Sequence, residues 1–406
     1  MSCEDVARDC LARIAEREPV VHAWAFLDPE LVIEQARALD AAPVRGPLHG
    51  VPLGIKDIMD TFDMPTQMGS PIYAGHRPLA DAACVALARA AGALIVGKTV
   101  TAEFAGIAPG PTTNPHNSAH TPGGSSSGSA AAVADGMIPV ALGTQTGGSV
   151  HRPASYCGIV GFKPTRSTVN RAGVKPAAEF FDTVGILARD LDDVELFFSA
   201  LTNGTGRQTA ASQTPKRIGL CRTPLWSRAQ RETVEAVENA ADDLRAAGVA
   251  VDEVVLSPLF DGLNQARATI NDYQRAHAMR YEWQTQPQAI SEQLSATIRR
   301  GLTIPLEQLI AAVKLAEDCR AALDDAFGAR DLLLAPCVDG EAPCGLASTG
   351  EHHFQSIWTT VDVPTVSLPT HQGPNGLPVS IQLVARPLHD VRLLAHARGV
   401  MDACRS

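Results

Sequence analysis

Two short segments set serine and threonine among glycines: Pro122-Gly-Gly-Ser125-Ser-Ser-Gly128 and Gly143-Thr-Gln-Thr-Gly-Gly-Ser149. Glycine allows backbone turns that other residues cannot make, and lets successive N–H groups come close to a ligand. A run of such groups can hold an oxyanion, and a hydroxyl at its end can attack the carbonyl whose oxygen sits there. Either loop alone reads better as a tight turn with capping serines. Two of them, separated by one helix and one strand, favour chemistry. A serine nucleophile needs a base, and none of the histidines has an evident claim. Lys56 closes the apolar run Gly50-Val-Pro-Leu-Gly-Ile-Lys56-Asp57. An amine at the end of a buried strand is desolvated, which lowers its pKa and leaves it free to accept a proton. The alternative is an ion pair between Lys56 and Asp57.

Two other motifs match a pattern without its context. Gly92-Ala-Leu-Ile-Val-Gly97-Lys98-Thr99 has the spacing of a phosphate-binding loop. That loop needs a strand before its first glycine, whereas here a helix precedes and the inner residues read as a buried strand. Gly124-Ser-Ser126-Ser-Gly128 has the spacing of a nucleophile elbow. An elbow follows an apolar strand, and His120-Thr-Pro-Gly-Gly cannot be a central one. An α/β-hydrolase arrangement with Asp362 and His389 is the weaker alternative.

The elements that position these residues follow from periodicity. Residues 2 to 18 and 28 to 42 read as amphipathic helices, and residues 81 to 91 as an Ala-rich helix closed by Gly92. Gly50–Ile55, Ala93–Val96, Ile138–Leu142, Asp331–Ala335 and Val379–Val384 read as buried strands. Residues 109 to 129 form an irregular loop that runs into a helix near Gly128. Residues 216 to 256 read strand, helix, strand, the one stretch resembling a βαβ crossover by itself. Residues 258 to 330 are polar and helical, a lid or variable region. Helices alternating with buried strands predict a single α/β domain over 1–406, a sheet covered by helices on both faces. The catalytic core falls within 50–200, and the helices of 1–45 cover the core or form a dimer face.

The chain has 406 residues, 45% of them hydrophobic, and a net charge of -10. An acidic surface disfavours nucleic acid as a partner. No apolar run is long enough to span a membrane, and the start, Met-Ser-Cys-Glu-Asp, has no apolar leader segment. Nine scattered cysteines predict free thiols in a reducing cytoplasm. No Cys-x-x-Cys occurs, and the histidines show no ligand spacing, so neither metal nor cofactor is expected.

Taken together, the motifs identify the chain as a member of the amidase signature family. The resemblance rests on Gly50–Asp57, Val96–Thr99, Pro122–Ser126, Gly143–Ser149, Cys157-Gly-Ile-Val-Gly-Phe-Lys-Pro-Thr165 and Gly376-Leu-Pro-Val-Ser-Ile-Gln382, and so spans most of the chain. Its malonamidases look most similar, through Ser127 and the Arg152-Pro153 that follows Ser149. The resemblance implies hydrolysis of a small amide, with Ser149 as nucleophile, Ser125 as proton relay across a cis Gly124–Ser125 peptide, and Lys56 as base. It also implies backbone oxyanion donors at Thr146, Gly147, Gly148 and Ser149, and a homodimer. Substrate contacts are expected from Arg152, His151, Gly124 and Ser126. Arg152 either receives a substrate carboxylate, favouring monoamides of dicarboxylic acids, or pairs with an acidic neighbour. His151 and Asp362 depart from the family pattern, and Asp362 would repel a carboxylate if it faced the pocket. An ester or carbamate hydrolase, or the amidase subunit of a tRNA-dependent amidotransferase, uses the same residues; the chain looks short for the latter.

Overall fold

The computed structural model describes residues 1–202 and 212–405. Its strands are β1 (Trp24–Leu27), β2 (Pro52–Lys56), β3 (Leu94–Thr99), β4 (Val140–Gln145), β5 (Val160–Lys163), β6 (Thr183–Ala188), β7 (Arg217–Leu220), β8 (Ala250–Glu253), β9 (Leu332–Pro336), β10 (Thr365–Gln372) and β11 (Pro378–Val384). They join in one 11-stranded sheet of order β1-β3-β2-β4-β6-β5-β10-β11-β9-β7-β8. The sheet is mixed: β2 runs parallel to β3 and β4, and β7 to β8 and β9. The other pairings are antiparallel.

The helices are α1 (Cys3–Val21), α2 (Pro29–Asp40), α3 (Ala83–Ala90), α4 (Ser127–Ala134), α5 (His151–Cys157), α6 (Leu191–Leu201), α7 (Arg231–Ala246), α8 (Leu263–Ala278), α9 (Arg280–Thr285), α10 (Glu292–Gly301), α11 (Leu306–Phe327), α12 (His353–Thr360) and α13 (Asp390–Arg405). β2, β3, β4 and β6 are buried along their whole length. Strands covered on both faces read as continuous apolar runs rather than alternating ones. One face packs Leu53, Ile55, Ile95 and Val140 beneath α3, α6 and α7. The other packs Leu94, Val96 and Ala141 beneath α1, α2 and α4. The N-terminal helices therefore cover the sheet. α1 opens on a capping box in which Ser2 and Asp5 satisfy each other's backbone N–H groups.

The predicted architecture, a twisted mixed sheet with helices on both faces, is the one found. Two expectations of detail need correction. The stretch 216–256 is not the only βαβ crossover, because β2, α3 and the parallel β3 make another. The second glycine loop is shorter than expected: β4 runs on through Gly143-Thr-Gln145, leaving only Thr146–Ser149 as a turn. The polar segment 258–330 is helical as expected: a 3-10 turn at Pro258–Gly262 leads into α8 to α11, with a second such turn at Pro287–Ala289. The phosphate-loop look-alike is strand β3 through Lys98, as its apolar residues implied.

Candidate active site

Lys56 is the last residue of β2, and nothing of its side chain reaches solvent. Its Nζ lies 2.7 Å from Ser125 Oγ and 2.9 Å from Thr144 Oγ1. Among the described residues no carboxylate forms an ion pair with it. Asp57 turns instead to Lys98, 3.3 Å away, and accepts the N–H of Gln67, which removes the Lys56–Asp57 pairing. With only hydroxyls for partners, burial holds the Lys56 amine well below the usual lysine range. Asp182 opposes that shift, while Arg275 and Arg152 add to it.

Ser125 follows a cis peptide from Gly124 and is itself fully buried. Gly123, just before, has φ +79°, and a Cβ there would meet Pro153 Cα at 2.8 Å. Glycine is thus required by both conformation and space. Ser149 closes the β4–α5 turn and is 8% exposed, enough to reach the cavity that it lines. Its carbonyl accepts the N–H of Ser126, which places the two serine segments side by side.

The turn between β4 and α5 is pinned at each residue. Thr146 donates its hydroxyl to Asp182 at 2.6 Å. The Gly147 carbonyl accepts the Thr359 hydroxyl at 2.8 Å, and the Gly148 carbonyl accepts the Arg152 N–H at 2.8 Å. In a trans peptide the next N–H points opposite to the carbonyl, so the N–H groups of Gly148 and Ser149 are directed away from α12 and α5. Gln145 completes the support: its Oε1 accepts the N–H groups of Val150 and His151, and its Nε2 donates to Thr359. Orphan donors at the start of α5 are thereby satisfied.

The expected substrate contacts fare differently. Arg152 lines the cavity, and three of its five N–H groups are engaged: Nε and Nη2 reach the Gly124 carbonyl at 3.0 and 2.6 Å, and Nη1 reaches that of Gly350. It clamps the Ser125 loop and, among the described residues, forms no ion pair with an acidic neighbour. The Gly124 carbonyl is likewise occupied by Arg152. Ser126 is buried against β4, its hydroxyl 3.3 Å from both the N–H and the carbonyl oxygen of Thr144. His151 is fully buried between the hydroxyls of Thr365 (2.6 Å) and Ser367 (3.2 Å), and burial pushes its pKa down to about 3. His151 and Ser126 are thus held away from the cavity, whereas Arg152 lines it. Asp362 pairs with Arg320 at 3.1 Å and caps the Arg166 N–H, so it does not repel a ligand from the cavity. With Asp362 held there and Ser126 tied to β4, the hydrolase-elbow alternative has no assembled site.

The cavity over Ser149 measures about 40 Å³. It holds about three water-sized occupants at about 10–15 Å³ each. Its far wall comes from α8 and α10, with Arg267, Asn271 and Arg275 on the former. His352 also lines it, and burial, then Arg267 and Arg152, hold that imidazole well below its usual range. Thr144, Asp182, Arg267, Asn271, Arg275 and His352 were not anticipated from the sequence. Only the α8 residues carried a signal, a polar i, i+4, i+8 row on a helix.

The family model described as Amidase matches residues 5–394. The A subunit of the glutamyl-tRNA(Gln) amidotransferase from Symbiobacterium thermophilum is 33% identical, over 97% of this chain and 92% of its own length. That span removes shortness as an argument against such a role. Among solved structures, an amidase is 30% identical with a TM-score of 0.89, over 99% of this chain and 96% of its own. The peptide amidase of Stenotrophomonas maltophilia is 28% identical with a TM-score of 0.84, over 100% of this chain and 94% of its own.

Proposed function

The chain belongs to the amidase signature family of amide hydrolases, and from that premise we propose that it cleaves a small carboxylic amide through an acyl-enzyme on Ser149. The supporting observation is an amine without a carboxylate partner, 2.7 Å from the Ser125 hydroxyl. Neutral Lys56 takes the Ser125 proton as Ser125 takes that of Ser149, and Ser149 attacks the carbonyl. Backbone N–H groups of Thr146, Gly147, Gly148 and Ser149 stabilise the oxyanion, each donor contributing on the order of 10²–10³-fold. The proton returns through Ser125 to the leaving nitrogen, which departs as ammonia or amine. Water then cleaves the ester by the same relay. The scheme calls on no cofactor.

Among amides we favour a monoamide of a dicarboxylic acid, the preference suggested by the likeness to malonamidase; the small, cation-walled cavity supports it. Esters and carbamates share the acyl chemistry and are competing substrates. The test is ammonia release from small amides by the purified chain, with mass spectrometry after a serine-directed fluorophosphonate. Ser149→Ala should lose both turnover and label; labelling that persists unchanged removes Ser149 as nucleophile.

A second reading is favoured by the relatives: the amidase component of a tRNA-dependent amidotransferase, working with other proteins. Ammonia release by the isolated chain separates the two. None of the described helices is long and apolar enough to cross a membrane. The cysteines are all free, which supports a reducing compartment such as the cytoplasm.

A further inference from the structure

Arg267 stands on α8 with its side chain nine-tenths buried. Among the described residues its guanidinium donates no hydrogen bond, and its Nε is sealed from solvent without an acceptor. An unpaired buried guanidinium is costly, so its persistence marks a place where a ligand supplies the partner. The neighbours it does have are not acceptors. Its Cζ lies 5.7 Å from the centre of the Phe181 ring. A Cβ on Gly147 would sit 2.6 Å from its Nη2, so the guanidinium abuts the turn that faces the scissile carbonyl. Asn271 and Arg275 follow one and two turns along α8 and line the same cavity; Arg275 donates from Nη1 to the Phe104 carbonyl at 3.0 Å.

The nearby carboxylates are engaged elsewhere. Asp272 pairs with Arg300 at 2.8 Å. Asp182 accepts the Thr146 hydroxyl and the N–H groups of Ala177 and Ala178. Arg152, the third guanidinium of the cavity, gives its hydrogen bonds to backbone carbonyls. Burial and the two other arginines lower Arg267 only to about 10, so it is cationic at neutral pH.

The geometry points to Arg267, with Asn271 beside it, as the receptor for a carboxylate carried by the substrate. The selectivity for acidic amides thus lies on α8. Because the guanidinium touches Gly147 and the cavity is about 40 Å³, only a short spacer fits between carboxylate and amide, as in malonamate or succinamate. This inference rests on the amide-hydrolysis reading above.

The experiment compares ammonia release from succinamate and from butyramide, which differ in a carboxylate against a methyl group. Wild type should favour succinamate. Arg267→Gln should lower the succinamate-to-butyramide ratio of kcat/KM by about 100-fold, the scale of two lost charge-assisted hydrogen bonds. Arg267→Lys should keep part of it. Arg152→Lys should slow both substrates together, as loss of a loop clamp would. An unchanged ratio in Arg267→Gln overturns the proposal. A second measurement needs no turnover: succinate should raise the melting temperature of Ser149→Ala, and not that of Ser149→Ala with Arg267→Gln. Equal stabilisation of the two, or of neither, also overturns it. If the hydrolysis reading alone is wrong, no amide releases ammonia and Ser149 takes no label, yet succinate stabilisation still depends on Arg267.

Discussion

Replacing Lys56 with Met should abolish activity and, at the same time, remove a specific pH dependence of stability. In the folded protein the amine is fully buried, contacts hydroxyls only, and its pKa is depressed well below 10.5. In the unfolded chain it titrates at its ordinary value. Between those two values the unfolded state therefore binds one proton more than the folded state. Stability from this group then rises with pH by 2.303RT, about 1.4 kcal/mol per unit. Below the folded-state value the cost is at its full size; it is gone once pH passes 10.5. Met fills similar volume and carries no proton, so Lys56→Met lacks this slope. The hydrogen bonds lost by Ser125 and Thr144 add only a pH-independent offset. Urea unfolding of both proteins at two pH values between the folded-state value and 10.5 should show their stability difference moving in favour of wild type at the higher pH, by about 1.4 kcal/mol per unit. Ammonia release by the variant should fall by about 10²–10⁴-fold, the range for a positioned general base. Parallel stability curves would mean that the amine is charged in the folded state, and the base assignment would fail with them.

Three further outcomes follow from the same geometry. For wild type, kcat/KM should fall tenfold per pH unit on the acid side of the Lys56 pKa, since protonation removes the base, and be flat above it in a pH–rate profile. Asp182→Asn removes the carboxylate that opposes the Lys56 shift and weakens the hold on Thr146; the acid limb should move to lower pH while kcat drops about tenfold, one hydrogen bond's worth. Lys98→Met leaves the Asp57 carboxylate buried and unpaired, which should cost about 3–5 kcal/mol in urea unfolding; Asp57→Asn in the same chain should restore part of it.

The centre of the site was legible because its signals are local. Gly-x-Pro-Leu-Gly-Ile-Lys reads as a strand ending in an amine, and glycines before Ser125 and Ser149 can be counted in the sequence. What failed depended on direction. His151 and Arg152 follow Ser149 in sequence, but α5 starts there, and each step turns a side chain by about 100°. His151 is carried toward β10 and Arg152 toward the Gly124 carbonyl. β5, β6 and β10 escaped notice since short strands such as Val160-Gly-Phe-Lys163, or one containing Pro369, show little periodicity. Arg267, Asn271 and Arg275 lie in a segment that reads from sequence only as polar and helical. Only the placement of α8 across the β4–α5 turn buries them.

The two lysines at the ends of β2 and β3 show how one fold separates structure from chemistry. Both amines are buried, and their strands are adjacent and parallel. The register pairs Lys56 with Thr99 and Lys98 with Ile55, after an irregularity at Leu53–Gly54. Residues one position apart face opposite sides of a sheet, so the two amines emerge on different faces. Lys98 enters a pocket of fixed acceptors: Asp57 at 3.3 Å, the Met59 carbonyl at 2.8 Å and the Thr66 hydroxyl at 2.6 Å. Each of these favours the ammonium, and the group acts as a buried tie between β3 and the loop after β2. Lys56 meets two hydroxyls and no carboxylate. A hydroxyl can donate to a neutral amine as readily as it accepts from a charged one, so only the pull of Asp182, which does not touch the amine, opposes the desolvation of the ammonium. The same residue type, at the same depth and in neighbouring strands, is tied to a carboxylate in one case and to hydroxyls alone in the other. A carboxylate introduced beside Lys56, as in Thr144→Asp, would hold its proton and give it the character of Lys98. That variant should fold and lose amide turnover at neutral pH, recovering only as pH rises; turnover unchanged at neutral pH would refute this account of the difference.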